Sequence, residues 1–178
     1  MFSLVDPETA VGQAAELLGD TRRQLGRVPN LYRAMANSPK ALAAYLAFRG
    51  ALQGGTLDIA MTERIAMQVA QLNDCDYCVA AHFFRGQKIG LSLDELNKVR
   101  VGRHDNPKIH AAMSFIAALV KSHGALDDVS RADIFAHGWT EFEVGEIVAH
   151  VALNVFSNYF KHVAQPTLDF PLPPMLAA

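Results

Sequence analysis

The residues best suited to chemistry are two cysteines and a histidine that follow one another closely. The chain has two cysteines, Cys75 and Cys78, and His82 lies four residues after the second. Asn73 and Asp74 offer helix-capping side chains, so a helix is predicted to begin near Cys75. Free backbone N–H groups and the positive end of the helix dipole favour a thiolate there, as does the Cys-X-X-Cys spacing. The pattern therefore predicts a lowered thiol pKa.

A carboxylate on the preceding helix could complete this group. Side chains four residues apart lie on one helix face, so His82 could act as base or charge partner for Cys78. Glu63 lies twelve residues before Cys75. If the two helices pack side by side, its carboxylate can reach His82, orient the ring and raise its basicity. The residues predict a Glu–His–Cys relay beside a second, resolving cysteine.

Other interpretations of Glu63, Cys75, Cys78 and His82 remain open. The four side chains could bind zinc, although structural zinc sites usually take their ligands from two separated clusters. The cysteines could also be small buried helix residues, and the glutamate a solvated surface charge. Covalent haem attachment is excluded because Val79, not histidine, follows the second cysteine. We therefore assign catalytic residues and no metal ligand or cofactor.

The elements that would position these residues are all predicted to be helices. Asp6-Pro7, Ser38-Pro39 and Asn106-Pro107 each place a capping side chain before a proline suited to the first helical position. Apolar residues recur at helical spacing, and no convincing run alternates with a period of two. The prediction is an all-α helical bundle with helices near 7–19, 21–26, 30–36, 39–53, 57–72, 75–89, 93–100, 107–123, 130–137 and 141–163.

Length and composition predict a single soluble domain. The 178 residues, 51% of them hydrophobic, can enclose one core and are too few for two ordinary domains. We assign residues 1–178 to one domain with a C-terminal arm at about 166–178. A net charge of −2 gives no electrostatic reason to bind nucleic acid or an anionic membrane. No basic, apolar leader or long apolar run is present, so we expect a cytoplasmic protein.

A faint internal repeat suggests a degenerate duplicated helical unit. In it, Cys75-Asp-Tyr-Cys78 corresponds to Ser157-Asn-Tyr-Phe160 near the end of the chain. Chance similarity between two amphipathic helices explains the repeat equally well. His150 and His162 lie on the last predicted helix and could line the same cavity, although packing or interface roles are more common for such residues.

The spacing of Glu63, Cys75-X-X-Cys78 and His82 resembles the motif of the carboxymuconolactone decarboxylase and alkylhydroperoxidase D family. The runs Arg27-Val-Pro-Asn-Leu-Tyr-Arg33 and His162-Val-Ala-X-Pro-X-Leu-Asp-Phe-Pro171 resemble its branch of uncharacterised peroxidase-related enzymes. The resemblance extends over residues 27–171, approximately. It implies an all-α fold, a homo-oligomer in the form of a trimer or hexamer, and a peroxidase that uses neither haem nor flavin.

The resemblance also implies a role for each residue in reducing hydroperoxides. Cys78 would attack the peroxide, Cys75 would form the disulfide with it, and His82 with Glu63 would relay the proton. An external dithiol would then reduce the pair. Tyr77 stands where well-studied members have a histidine, so rate, substrate or reductant are expected to differ. A non-redox lactone decarboxylase-like lyase and a zinc-stapled helical binding module are the alternatives.

Overall fold

The structure, a computed structural model, describes residues 1–176. Within this range the chain forms nine α-helices and no β-strand, which confirms the predicted all-α fold class. In chain order the helices are α1 (Gly12–Leu25), α2 (Asn30–Met35), α3 (Pro39–Leu52), α4 (Ile59–Leu72), α5 (Asp76–Lys88), α6 (Leu93–Arg100), α7 (Pro107–Lys121), α8 (Asp128–Ala136) and α9 (Glu141–Ala164).

The prediction of two helices near 7–19 and 21–26 is wrong, because this stretch forms the single helix α1. Asp6 does not start a helix. Its carboxylate accepts a hydrogen bond from the backbone N–H of Glu8, and its carbonyl oxygen accepts two more from the N–H groups of Thr9 and Ala10. An Asp-Pro pair can close a turn as readily as it can cap a helix. The interior glycine of α1 costs only about 1 kcal/mol and does not interrupt it.

The caps predicted at Ser38 and Asn106 are present. Each side chain accepts a hydrogen bond from a backbone N–H in the first turn of α3 or α7, and proline occupies the first helical positions. Helix α8 begins two residues earlier than predicted because Asp127 caps it. The proline and capping signals therefore locate most helix starts.

The described residues divide into two compact units. The first comprises residues 1–53 and 159–169, and in it α3 packs against α1 and α2. The second comprises residues 54–158 together with the chain from residue 170. Helix α9 contributes residues to both units. That the chain forms one domain stays a prediction.

Helix α4 organises the second unit. It packs against α5, α6 and α7, and α7 also packs against α8. Seven of the fourteen residues of α4 are buried: Met61, Ile65, Ala66, Met67, Gln68, Val69 and Ala70. Glu63 and Arg64 lie on the same helix between these apolar positions. The packing of α4 therefore fixes where these two charged side chains project.

The last described residues, 165–176, are not helical. They correspond to the predicted C-terminal arm, of which residues 177 and 178 lie outside the described part of the chain. Over residues 1–176, no helix combines the length and the apolar character needed to cross a bilayer.

Candidate active site

The two cysteines lie at the start of α5, where the sequence predicts a helix N-terminus. Cys75 is the N-cap residue, and its sulfur accepts a hydrogen bond from the backbone N–H of Cys78 at 3.3 Å. Asp74 has φ of 51°, a left-handed conformation that reverses the chain between α4 and α5. Cys75 and Cys78 are joined by a disulfide, and their exposed fractions are 0% and 3%. The sulfurs therefore occupy a buried position at the positive end of a helix dipole.

Glu63 and His82 meet between α4 and α5. The distance from Glu63 Oε2 to His82 Nδ1 is 2.7 Å, and 14% and 12% of the two side chains are exposed. An ionised carboxylate only accepts hydrogen bonds, so Nδ1 carries the proton and Nε2 is left as the basic nitrogen. His82 follows Cys78 by one helical turn. The structure thus pairs Glu63 with His82 and Cys75 with Cys78, with the cysteine pair at the start of the helix that carries His82, and the roles of the four residues stay predictions.

Aromatic side chains enclose the start of α5. Tyr77 is 3% exposed, and its ring meets that of Phe170 edge-on at a centroid distance of 5.6 Å. Phe170 also lies 6.0 Å from the ring of Phe84. Sequence reasoning noticed Tyr77, but it gave Phe170, almost a hundred residues away, no role beyond its place in the C-terminal run. The three rings form one aromatic cluster that includes Tyr77, the residue before Cys78.

A second histidine approaches this region from α9. His150 is 8% exposed, and its Nε2 has no hydrogen-bond partner. Burial lowers the pKa of His150, while the charges of Glu146 and Glu63 act in the opposite direction. His150 therefore lies within electrostatic reach of Glu63. His162 is exposed and belongs to the other unit.

The zinc alternative requires several of these side chains to converge as ligands. Among residues 1–176, no three His, Cys, Asp or Glu side chains are grouped as metal ligands would be. The two sulfurs are bonded to each other. The arrangement consists instead of a disulfide at a helix start and a carboxylate-held imidazole one turn further along.

The segments of the faint repeat differ in structure. Cys75 lies at the start of a helix, whereas Ser157 and the three residues after it lie inside the uninterrupted helix α9. The capped, dipole-exposed position is therefore particular to the cysteine segment.

Comparison with known proteins gives a family and a fold. Residues 39–121 match the model of the carboxymuconolactone decarboxylase family. A search of curated protein sequences gives no match. The structure resembles a peroxidase-related protein from Ralstonia eutropha JMP134, an alkylhydroperoxidase AhpD core, with a TM-score of 0.83 and 20% identity over 94% of this chain and 91% of that one.

Two other solved structures are similar to the same extent. A peroxidase-related protein from Silicibacter sp. TM1040 has a TM-score of 0.79 and 19% identity, covering 93% of this chain and 88% of that one. A cysteine-to-alanine variant of the debrominase Bmp8, in complex with 2,3,4-tribromopyrrole, also has a TM-score of 0.79 and 19% identity, with 95% and 93% covered. At such identities these likenesses establish the fold.

The family match includes α4 and α5, the two helices that carry the glutamate, the cysteine pair and the histidine. The structural likeness extends over nearly the whole chain. The part of the chain that carries these residues, 39–121, therefore matches the carboxymuconolactone decarboxylase family, and the fold of the chain is that of the alkylhydroperoxidase AhpD core.

Proposed function

We propose that this protein is a thiol-dependent peroxidase that reduces hydroperoxides through Cys75 and Cys78. The observation that supports this most is the position of the cysteine pair at the N-terminus of α5, one turn before an imidazole that Glu63 holds. A helix N-terminus and a basic neighbour both favour the thiolate, which is the reactive form of cysteine.

The cycle begins with both cysteines as thiols. His82 Nε2 takes the proton of Cys78, and the thiolate attacks the terminal oxygen of a hydroperoxide. The O–O bond breaks, the sulfur becomes a sulfenic acid, and the leaving alkoxide takes the proton from His82 to form an alcohol. The thiol of Cys75 then attacks the sulfenic sulfur and releases water. An external dithiol supplies two electrons and two protons to reduce the disulfide.

Glu63 supports the proton transfer in this scheme. When His82 becomes an imidazolium, the carboxylate at Nδ1 stabilises the new charge across a short, largely buried hydrogen bond. The same contact fixes the ring so that Nε2 remains the nitrogen that exchanges the proton.

The test is peroxide consumption by purified protein with a dithiol reductant. Cys78→Ser should abolish turnover, because no nucleophile remains. Cys75→Ser should leave a sulfenic acid on Cys78 that a dimedone probe traps. Equal peroxide turnover by the wild type and both variants would rule out the proposal.

A second candidate follows from the family match: a lyase acting on a carboxymuconolactone-like acid, with acid–base groups and no thiol step. Retention of full activity on a lactone acid after both cysteines are changed to serine would favour it. One structural neighbour is a debrominase in complex with 2,3,4-tribromopyrrole, so halogenated pyrroles should be tested as substrates beside the lactone acid.

We also propose a homo-oligomer. Helix α9 exposes the apolar side chains of Val148, Phe156, Tyr159 and Val163 to solvent at helical spacing. A second copy covering this face would remove it from water. Light scattering should give a mass that is a multiple of the 19.4 kDa chain, and a monomer at all concentrations would contradict this.

A further inference from the structure

One face of α9 carries a row of polar side chains where a packed helix usually carries apolar ones. Glu146, His150, Asn154 and Asn158 follow one another at intervals of four residues. The last three are 8%, 6% and 0% exposed. Burial of polar groups costs free energy unless they find partners, so such a row needs a reason.

Two anchors fix this row alongside α4. At one end, the Glu146 carboxylate accepts hydrogen bonds from the backbone N–H groups of Thr56 and Leu57, at 2.9 and 3.1 Å, immediately before α4. At the other end, Asn158 Oδ1 accepts one from Asn73 Nδ2 at 3.0 Å, immediately after α4. The polar row and α4 therefore run side by side in the same direction.

The first anchor is a close approach. A Cβ atom on Gly55 would lie 2.5 Å from Glu146 Oε1, so a side chain at residue 55 would push the carboxylate out of this position. Between the two anchors, His150 lies on α9 and Glu63 lies on α4. The anchors thus place His150 on the stretch of α9 that runs along the part of α4 carrying Glu63.

His150 has no structural partner that would explain its burial. Its Nε2 makes no hydrogen bond, and its backbone carbonyl only accepts one from Asn154. Two carboxylates act on the ring electrostatically, Glu63 from α4 and Glu146 from its own helix. Burial outweighs them and favours the neutral ring.

We propose that His150 is a positioning residue of the Glu63–His82 pair, acting through the shared carboxylate. While His150 is neutral, it does not weaken the interaction of the Glu63 carboxylate with His82. When His150 takes up a proton in acid, it compensates the charge of this carboxylate and withdraws the support of Glu63 from His82. The catalytic consequence rests on the proposed function, whereas the coupling of the two imidazoles does not.

The test follows the ring signals of His82 by heteronuclear NMR while the pH is lowered. In the wild type, the His82 signals should show an inflection in acid at the pH where the signals of His150 change. His150→Gln should remove that inflection, and His162→Gln, the same change at an exposed site on α9, should leave it in place. A wild type in which the His82 signals do not follow those of His150, or an inflection that persists in His150→Gln, would overturn the proposal.

A further variant keeps the test valid if His150→Gln does not fold. Glu63→Gln retains both histidines and removes the shared charge, so the acid inflection should shrink or disappear. An undiminished inflection would mean that the rings interact directly, which also overturns the proposal. Because no step needs a peroxide, a coupling that is present in an inactive protein would reject the peroxidase and leave this inference standing.

Discussion

Two Glu–His pairs in the second unit look alike at first sight. Glu63 Oε2 lies 2.7 Å from His82 Nδ1, and Glu95 Oε1 lies 3.2 Å from His104 Nε2. The two histidine side chains are 12% and 13% exposed, and both pairs involve a helix that packs on α4. Burial and partner type therefore do not distinguish the pairs.

The neighbours of each pair do distinguish them. Arg64 donates two hydrogen bonds to Glu95 Oε1, at 2.6 and 2.8 Å. Burial raises the pKa of Glu95, but the hydrogen bonds from Arg64 and His104 outweigh it, and the net pKa is lowered. This carboxylate has a permanent cation and ties α4 to α6. Glu63, one residue earlier on α4, faces the helix that begins with the cysteines.

The comparison teaches that a Glu–His contact acquires chemistry from what stands next to it. Ser92 caps α6, and its Oγ accepts a hydrogen bond from the Glu95 N–H. The carboxylate of Glu95 accepts the hydrogen bonds of Arg64. The second pair is therefore a natural control, with the same groups at similar burial and no sulfur on the adjoining helical turn.

The largest expected effect is a difference in peroxide turnover between variants of the two pairs. Glu63→Gln keeps the size of the side chain and removes its charge, so the imidazolium that forms on His82 loses its counterion. We expect peroxide turnover to fall at least about 100-fold. Glu95→Gln should change turnover less than about twofold, because an uncharged substitute at a distant structural pair leaves the relay intact. Stopped-flow kinetics measures both variants.

Comparable losses in both variants would show that the pairs act alike and would remove the basis of the comparison. A loss in Glu95→Gln alone would place the chemistry at α6 instead of α5.

The next effect concerns stability, and here the change at the Glu95 pair should have the larger effect. Arg64→Met leaves Glu95 partly buried without its cation, and we expect a loss of about 1–3 kcal/mol in the free energy of unfolding. Glu63→Gln retains a hydrogen-bonding side chain opposite His82 and should lose less. Urea denaturation of the oxidised proteins, followed by circular dichroism, gives both values. A greater loss of unfolding free energy in Glu63→Gln than in Arg64→Met would show that the Glu63–His82 pair has the larger structural role.

The sequence predicted the helix start at the cysteines because its signals are local, although Cys75 itself caps α5 in place of Asn73 or Asp74. Capping side chains, the Cys-X-X-Cys spacing and the four-residue interval to His82 all act within one turn of helix. The Glu63–His82 contact needed one further assumption, namely that consecutive helices pack side by side, and short connections favour this. The error at Asp6 has the same origin, since a local signal that suits both a turn and a helix cap does not choose between them.

Long-range packing supplied what the sequence could not. The proximity of His150 to Glu63 depends on α9 lying along α4, which Glu146 and Asn158 fix through hydrogen bonds to residues 85 or more positions away. Periodicity placed His150 on a helix, but not on the side that meets α4. The sequence shows Arg64 as a charge next to Glu63, but only the packing of α6 against α4 shows that Arg64 pairs with Glu95.

The smallest effect tests the charge on Glu95 directly. Because the pKa of Glu95 is lowered from 4.5 in the folded protein, its ionised form adds stability above that pH, and this stability is lost as the pH falls through the folded value. Comparing the wild type with Glu95→Gln keeps Arg64 and His104, whose hydrogen bonds lower the pKa of this carboxylate, in place around it. The difference in unfolding free energy between these two proteins should narrow below pH 4.5, by no more than about 1 kcal/mol for a partly exposed pair. A difference that widens in acid would mean that Arg64 does not hold the Glu95 carboxylate in its ionised form. The ion pair with Arg64 would then no longer mark the Glu95–His104 pair as a structural one.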